Sequence, residues 1–155
     1  MKLIPRPAAD APRFAHRNLP LLLLQARDSV IDNFRPILNA HGLTEQQWRI
    51  LRVLLDAGPL EPREIVELCR ISSPSLAGVL SRMDRLGWVL RERWPDDARR
   101  IRVSLSDSGR ALSQRIAPMI EKTYGDIEAA IGADSMAGFY AKLDEMIDLL
   151  AKMPR

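Results

Sequence analysis

Trp94-Pro95-Asp96-Asp97-Ala98-Arg99-Arg100-Ile101-Arg102-Val103-Ser104-Leu105-Ser106-Asp107-Ser108-Gly109 is the stretch on which the fold turns. Pro95-Asp96-Asp97-Ala98 has the chemistry of a turn. After it Ile101, Val103 and Leu105 alternate with Arg100, Arg102 and Ser104, the period of a half-buried strand over Arg99–Leu105. Val89–Trp94 reads as its partner, so the segment predicts an antiparallel hairpin. A pair of strands is marginal by itself. This one therefore has to pack on helices.

Those helices lie on both sides. Upstream, Leu76, Val79, Leu80 and Met83 recur at helical spacing, with Ser72 or Ser73 as cap and Gly87 as the stop. The opposite face carries Ser73, Ser75, Ala77, Gly78, Ser81 and Arg82, all small, polar or basic. A short turn, Arg70–Ser73, joins it to a helix that begins at Pro62 and carries Ile65, Val66, Leu68 and Cys69. Before that, Thr44 and Gln47 have capping-box spacing and Leu43 and Trp48 hydrophobic-staple spacing, starting a helix that stops at Gly58-Pro59. Leu19, Leu22, Leu23, Ala26, Val30 and Phe34 predict one long first helix over Leu19–Ala40, with Pro36 able to bend or end it. Downstream, Ser106 caps a long helix with Leu112, Ile116, Met119, Ile120 and Ile127 apolar and a kink expected at Pro118. Asp134 is expected to cap a last helix striped by Met136, Phe139, Tyr140, Leu143, Met146, Ile147 and Leu150.

Composition narrows the class. At 155 residues the chain makes one domain, 1–155, that buries about two thirds of its unfolded surface. A hydrophobic share of 46% against 28% charged excludes disorder. A single cysteine, Cys69, excludes a disulfide framework and reads as a buried structural thiol, which suits a reducing cytoplasm. His16 and His41 lack ligand-spaced partners, so no metal is expected, and no cofactor motif is present. Leu21–Leu24 is far short of the roughly 20 apolar residues a membrane span needs, and neither an anchor nor a signal peptide is expected. Met1–Pro12, rich in Pro and Ala, reads as a loose tail.

Charge is concentrated. Net charge is +3, but residues 70–115 carry 10 basic and 5 acidic side chains, whereas 116–155 carry 4 and 7. Of the 23 basic residues 19 are arginines, the better readers of phosphate and base edges. The positive potential therefore falls on the helix pair and the hairpin, and points to an anionic partner there. Two short helices, a tight turn and a basic hairpin, in that order, spell a winged helix-turn-helix. B-DNA's major groove admits one helix with a small or polar face. A hairpin beside it can lay arginines along the backbone or into the narrow minor groove. The alternative is a solvated charged surface with no ligand.

The stretch from Trp94 to Leu112, with its Asp-x-Arg, alternating strand and Leu-Ser-x-x-Gly, resembles the wing and following helix of the MarR family of bacterial regulators. Leu86-Gly87-Trp88-Val89 fits the same pattern, and the resemblance runs over about residues 19–152. Further upstream, Arg17–Arg27, Phe34-Arg35-Pro36 and Gly42–Arg52 resemble the branch that controls homoprotocatechuate degradation. The resemblance implies a mainly α protein with a small β-hairpin wing. Terminal helices (about 17–40 and 106–152) would form a homodimerisation domain around a DNA-binding lobe (about 44–105). It implies that Ser73, Pro74, Ser75, Ala77, Gly78, Ser81 and Arg82 face double-stranded DNA. Arg99 would be the wing-tip arginine, Asp97 the acid that positions it, and Arg100 a second contact. Many members have Arg where this chain has Gly78, so either the helix comes close to DNA there or it tolerates the glycine.

A reader of a pseudo-palindromic operator needs two-fold symmetry, with recognition helices about 34 Å apart. The apolar stripes of the first and last helices would either interleave with a second copy or cover their own core. The resemblance also implies a small aromatic acid effector between the two parts of the fold. Trp48 would be a wall for it, and Arg17, Arg27, Arg49 or Arg52 would hold its carboxylate. Each of these residues also has a purely structural reading, as core or as a salt-bridge partner. The expectation is a repressor of an aromatic catabolic operon. Its rivals are a related regulator with another operon and effector, an architectural DNA binder with no ligand and, more remotely, an enzyme. No Gly-rich phosphate loop, Gly-x-Ser-x-Gly or metal triad supports the enzyme.

Overall fold

The computed structural model describes residues 14–154, and the expected tail Met1–Pro12 lies outside them. The elements run α1 (Leu19–Ile31), α2 (Arg35–Ala40), α3 (Glu45–Ala57), α4 (Pro62–Cys69), α5 (Ser73–Arg85), β1 (Val89–Arg93), β2 (Ile101–Leu105), α6 (Asp107–Ile131) and α7 (Ala133–Ala151). The fold is the winged helix-turn-helix expected from the sequence.

The local signals explain most boundaries. Thr44 Oγ1 accepts from the Gln47 N–H, and the Gln47 side chain returns the bond to the Thr44 N–H, so the capping box at α3 is complete. Gly58 (φ 78°) and Gly87 (φ 74°) take the left-handed region where α3 and α5 stop. Ser72 caps α5 and Ser106 caps α6.

Some expectations are corrected. The first helix is two. Pro36 falls in the first turn of α2, where its missing N–H costs nothing, whereas in a continuous helix it would leave the Asp32 carbonyl unpaired and crowd it. The break turns Phe34 into the core, 4.8 Å from the Tyr124 ring. β2 begins at Ile101, not Arg99. The Arg99 N–H donates to the Asp97 carboxylate and the Arg100 N–H to the Asp97 carbonyl, so neither joins the ladder at the expected register. Gly132, not Asp134, caps α7 while ending α6, and Asp134 sits in the first turn.

β1 and β2 pair antiparallel, Val89 opposite Leu105 and Arg93 opposite Ile101. A third segment joins them: Leu60 and Val103 exchange backbone hydrogen bonds of 3.0 and 2.7 Å, anchoring the hairpin to the loop before α4. One core, including Ile50, Leu51, Leu54, Ile65, Met83, Val103, Ile116 and Ile120, joins the lobe to the first half of α6. α1 and α7 bury no residue at all; Leu21, Leu24, Phe139, Ile147 and Leu150 are all exposed. No helix among the described residues is long and apolar enough to cross a membrane.

Candidate nucleic-acid interface and effector cleft

α5 is built to show one face. The Ser72 side chain accepts from the Ser75 N–H, and Pro74 occupies the first turn, where no N–H is needed. Arg70 turns the chain into it through a left-handed φ of 51°. Leu76, Val79, Leu80 and Met83 point into the core. Ser73, Pro74, Ser75, Ala77, Gly78, Ser81 and Arg82 are all exposed. A Cβ added at Gly78 would meet only an Arg82 guanidinium nitrogen, at 3.8 Å. Nothing inside the protein requires glycine there.

The wing presents its arginines unequally. Asp97 accepts the Arg99 N–H at 3.0 Å and lies 3.9 Å from the Arg99 guanidinium, whose side chain is 96% exposed. Arg100 is engaged elsewhere. Its Nε donates to Glu61 Oε1 at 2.6 Å, and its Nη2 reaches the same oxygen. That hydrogen bond, reinforced by the Glu61 charge, raises the Arg100 pKa above its ordinary value. Arg100 and Arg102 both lie over the Trp94 ring, 5.4 and 5.5 Å from its centroid, and Arg102 also reaches Glu92. Arg91 pairs with Asp84 on α5 at 2.7 Å, tying the hairpin to that helix.

A second region opens where α3 meets α6 and α7. An open cleft of about 360 Å³ is lined by Arg52, Glu121, Tyr124, Glu128, Met136 and Tyr140. A neighbouring hollow of about 190 Å³ shares Arg52 and Glu121 with it and adds Trp48, Leu55, Asp56, Ala117 and Ile120. Burial pushes the Tyr124 hydroxyl pKa up, against the nearby Arg52 charge. Of the residues proposed from sequence for an aromatic acid, the structure brings Trp48 and Arg52 together here. Arg52 is held lightly, by Asp56 at 3.1 Å. Arg27 and Arg49 instead converge on the Glu45 carboxylate, and Arg49 also donates to the Cys69 carbonyl at the end of α4. Arg17 is exposed, away from these hollows. The sequence singles out Tyr140 only as part of the last helix's apolar stripe and does not single out Tyr124, since nothing local shows that α6 and α7 bring them to Arg52.

Cys69 is buried, and its thiol pKa is raised, chiefly by burial and against the Arg49 charge. His41 ends α2 with its Nδ1 donating to the Ile37 carbonyl at 2.8 Å. Among the described residues no group of three or more His, Cys, Asp or Glu could hold a metal.

The MarR family signature matches residues 41–100. The homoprotocatechuate degradative operon repressor of Escherichia coli is 41% identical over 134 residues, covering 86% of this chain and 90% of that protein. Among solved structures, the transcriptional regulator PA4135 superimposes with a TM-score of 0.83 at 38% identity, over 90% of this chain and 100% of that one. NadR, solved in complex with 4-hydroxyphenylacetate, does so with a TM-score of 0.77 at 33% identity, over 93% of this chain and 99% of that one. With a wing, a recognition-type helix and this similarity along nearly its whole length, the chain belongs to the MarR family of DNA-binding transcriptional regulators.

Proposed function

We propose that the protein is a homodimeric cytoplasmic repressor of an operon for homoprotocatechuate or hydroxyphenylacetate breakdown, released from its operator by a small aromatic acid. The observation that carries the effector reading is the place of Arg52, which lines both the hollow that Trp48 walls and the neighbouring cleft that Tyr124 walls, where α3 of the DNA-reading lobe touches α6. An arene needs apolar walls and its carboxylate one cation. Trp48 and Tyr124 are the walls and Arg52 the cation. Arg27 and Arg49, tied to Glu45, hold helices together instead. NadR with bound 4-hydroxyphenylacetate and the homoprotocatechuate repressor support this ligand class.

On the DNA side, Ser73, Pro74, Ser75, Ala77, Gly78, Ser81 and Arg82 enter the major groove. Gly78 lets the α5 backbone approach the bases, since no internal contact asks for it. Arg99, backed by Asp97, enters the minor groove. The exposed apolar faces of α1 and α7 pair with a second copy, which sets two α5 helices about 34 Å apart over a pseudo-palindromic site.

The test is fluorescence anisotropy at fixed salt with a duplex from the region upstream of the gene and a scrambled control. Each is titrated with and without 4-hydroxyphenylacetate and 3,4-dihydroxyphenylacetate. Specific binding relieved by either acid is the expected result. Specific binding indifferent to both overturns the effector and pathway, leaving a regulator of another operon. Equal binding to the scrambled duplex leaves an architectural DNA binder.

A further inference from the structure

We propose that Arg100 is a positioning residue rather than a DNA contact: with Glu61 it latches the wing to the start of α4 and so sets where Arg99 points. The proposal rests on the reading that the wing touches DNA.

The two residues are 39 positions apart, and the Glu61 side chain is only 12% exposed. Two guanidinium nitrogens of Arg100 share one Glu61 oxygen. The latch extends an existing seam, because Glu61 directly follows Leu60, whose backbone pairs with Val103 of β2. Arg100 also lies over Trp94, the residue at which the chain leaves β1 for the wing tip. The tip is thus gripped at both ends of its loop. The backbone N–H of Trp94 also donates to the Arg100 carbonyl, at 3.0 Å. The Arg100 guanidinium, though half exposed, is committed to the Glu61 carboxylate. Its neighbour Arg99, one residue on the tip side, has only the 3.9 Å approach of Asp97 and is almost wholly exposed. Adjacent arginines therefore divide the work: one holds the loop and the other reaches outward.

The test compares wild type, Arg99→Ala, Glu61→Gln and the double variant, using the upstream duplex at several salt concentrations, with thermal midpoints to confirm folding. Removing the Glu61 charge loosens its hold on Arg100, leaving at most a neutral hydrogen bond, and deletes a negative group near the DNA. If Arg100 contacted DNA, affinity would hold or rise. The latch predicts the opposite: roughly three- to tenfold weaker binding, and less than about twofold further loss on the Arg99→Ala background, since the effect passes through Arg99. Glu61→Gln binding as tightly as wild type overturns the proposal, and so do equal losses on both backgrounds. An Arg99→Ala variant that binds like wild type sinks the wing reading itself, a different failure. If Glu61→Gln does not fold, the charge swap Glu61→Arg with Arg100→Glu carries the test. Near-wild-type affinity supports the latch, because a glutamate facing phosphate would repel it, and a folded but inert swap overturns it.

Discussion

Replacing Gly109 with alanine is expected to destabilise the protein, against the usual direction of that change inside a helix. Gly109 lies in the first turn of α6, where its N–H donates to the Ser106 side chain at 3.0 Å. An alanine Cβ would sit 2.0 Å from the Trp88 carbonyl oxygen, 2.9 Å from its carbon and 3.1 Å from the Trp88 Cα. Relief requires backbone movement of more than 1 Å by an ordinary contact distance of about 3.4 Å. The oxygen in the way also accepts the Ser106 N–H at 3.1 Å, joining the start of β1 to the cap of α6. Overpacking against backbone belongs at the upper end of about 1–3 kcal/mol. Loss of the cap adds about 1 kcal/mol. Alanine's better helix propensity returns up to about 1 kcal/mol. The net loss is about 3 kcal/mol, or about 6–12 °C in melting temperature for a chain of this size. Circular dichroism melts at one fixed protein concentration measure it. Gly125→Ala, in the same helix with nothing within 4 Å of the new Cβ, serves as control and should melt no lower than wild type. A Gly109→Ala protein that melts at or above wild type refutes the close approach of α6 to Trp88.

Arg52→Ala should weaken the response to 4-hydroxyphenylacetate roughly ten- to a hundredfold, the loss of a charge-assisted hydrogen bond, while ligand-free operator affinity stays within about twofold; calorimetry and anisotropy check the two halves. Leu143→Asp should shift the protein toward monomer in analytical ultracentrifugation, because it sets a charge on an α7 stripe that buries nothing within its own chain, and an intact dimer would refute the partner role of that stripe. Cys69, whose folded thiol titrates above its unfolded value, gives stability that is whole below the unfolded pKa and declines as pH rises through the folded one. Iodoacetamide at alkaline pH should therefore modify urea-unfolded protein far faster than native protein, and equal rates would refute the burial.

What the sequence made legible was local. Thr44 and Gln47, Ser72 and Ser106 announce their helices because a cap is decided within three residues. The face of α5 follows from spacing alone, as does the alternation that buries Val103 and Leu105. Ile101 escapes that rule and is exposed, since it stands where the hairpin runs past the core. The misses are non-local. No pattern links Leu60 to Val103, or Glu61 to Arg100, until the chain has folded. In sequence Arg100 cannot be told from Arg99, because the two are identical in type and adjacent. Pro36 is plain in the sequence, but whether it bends or ends a helix depends on where Phe34 finds its partner Tyr124, ninety residues away. Tyr140 joined the cleft rather than the stripe for the same reason.

The length of α6 has a mechanical consequence. Its 25 residues make a rod about 37 Å long whose first turn is pressed, without an intervening side chain, onto the backbone at the root of the wing. Glu121, Tyr124 and Glu128, at the cleft, stand about 18–28 Å from Gly109 along the same rod. Such a rod is a lever. A tilt of about 5° at the cleft end carries a displacement of about 2 Å to the other, more than a hydrogen bond to a base edge survives. A small molecule lodged beside Tyr124 would have no need to melt or unfold anything to silence the reading head; a few degrees of rotation would put it out of register.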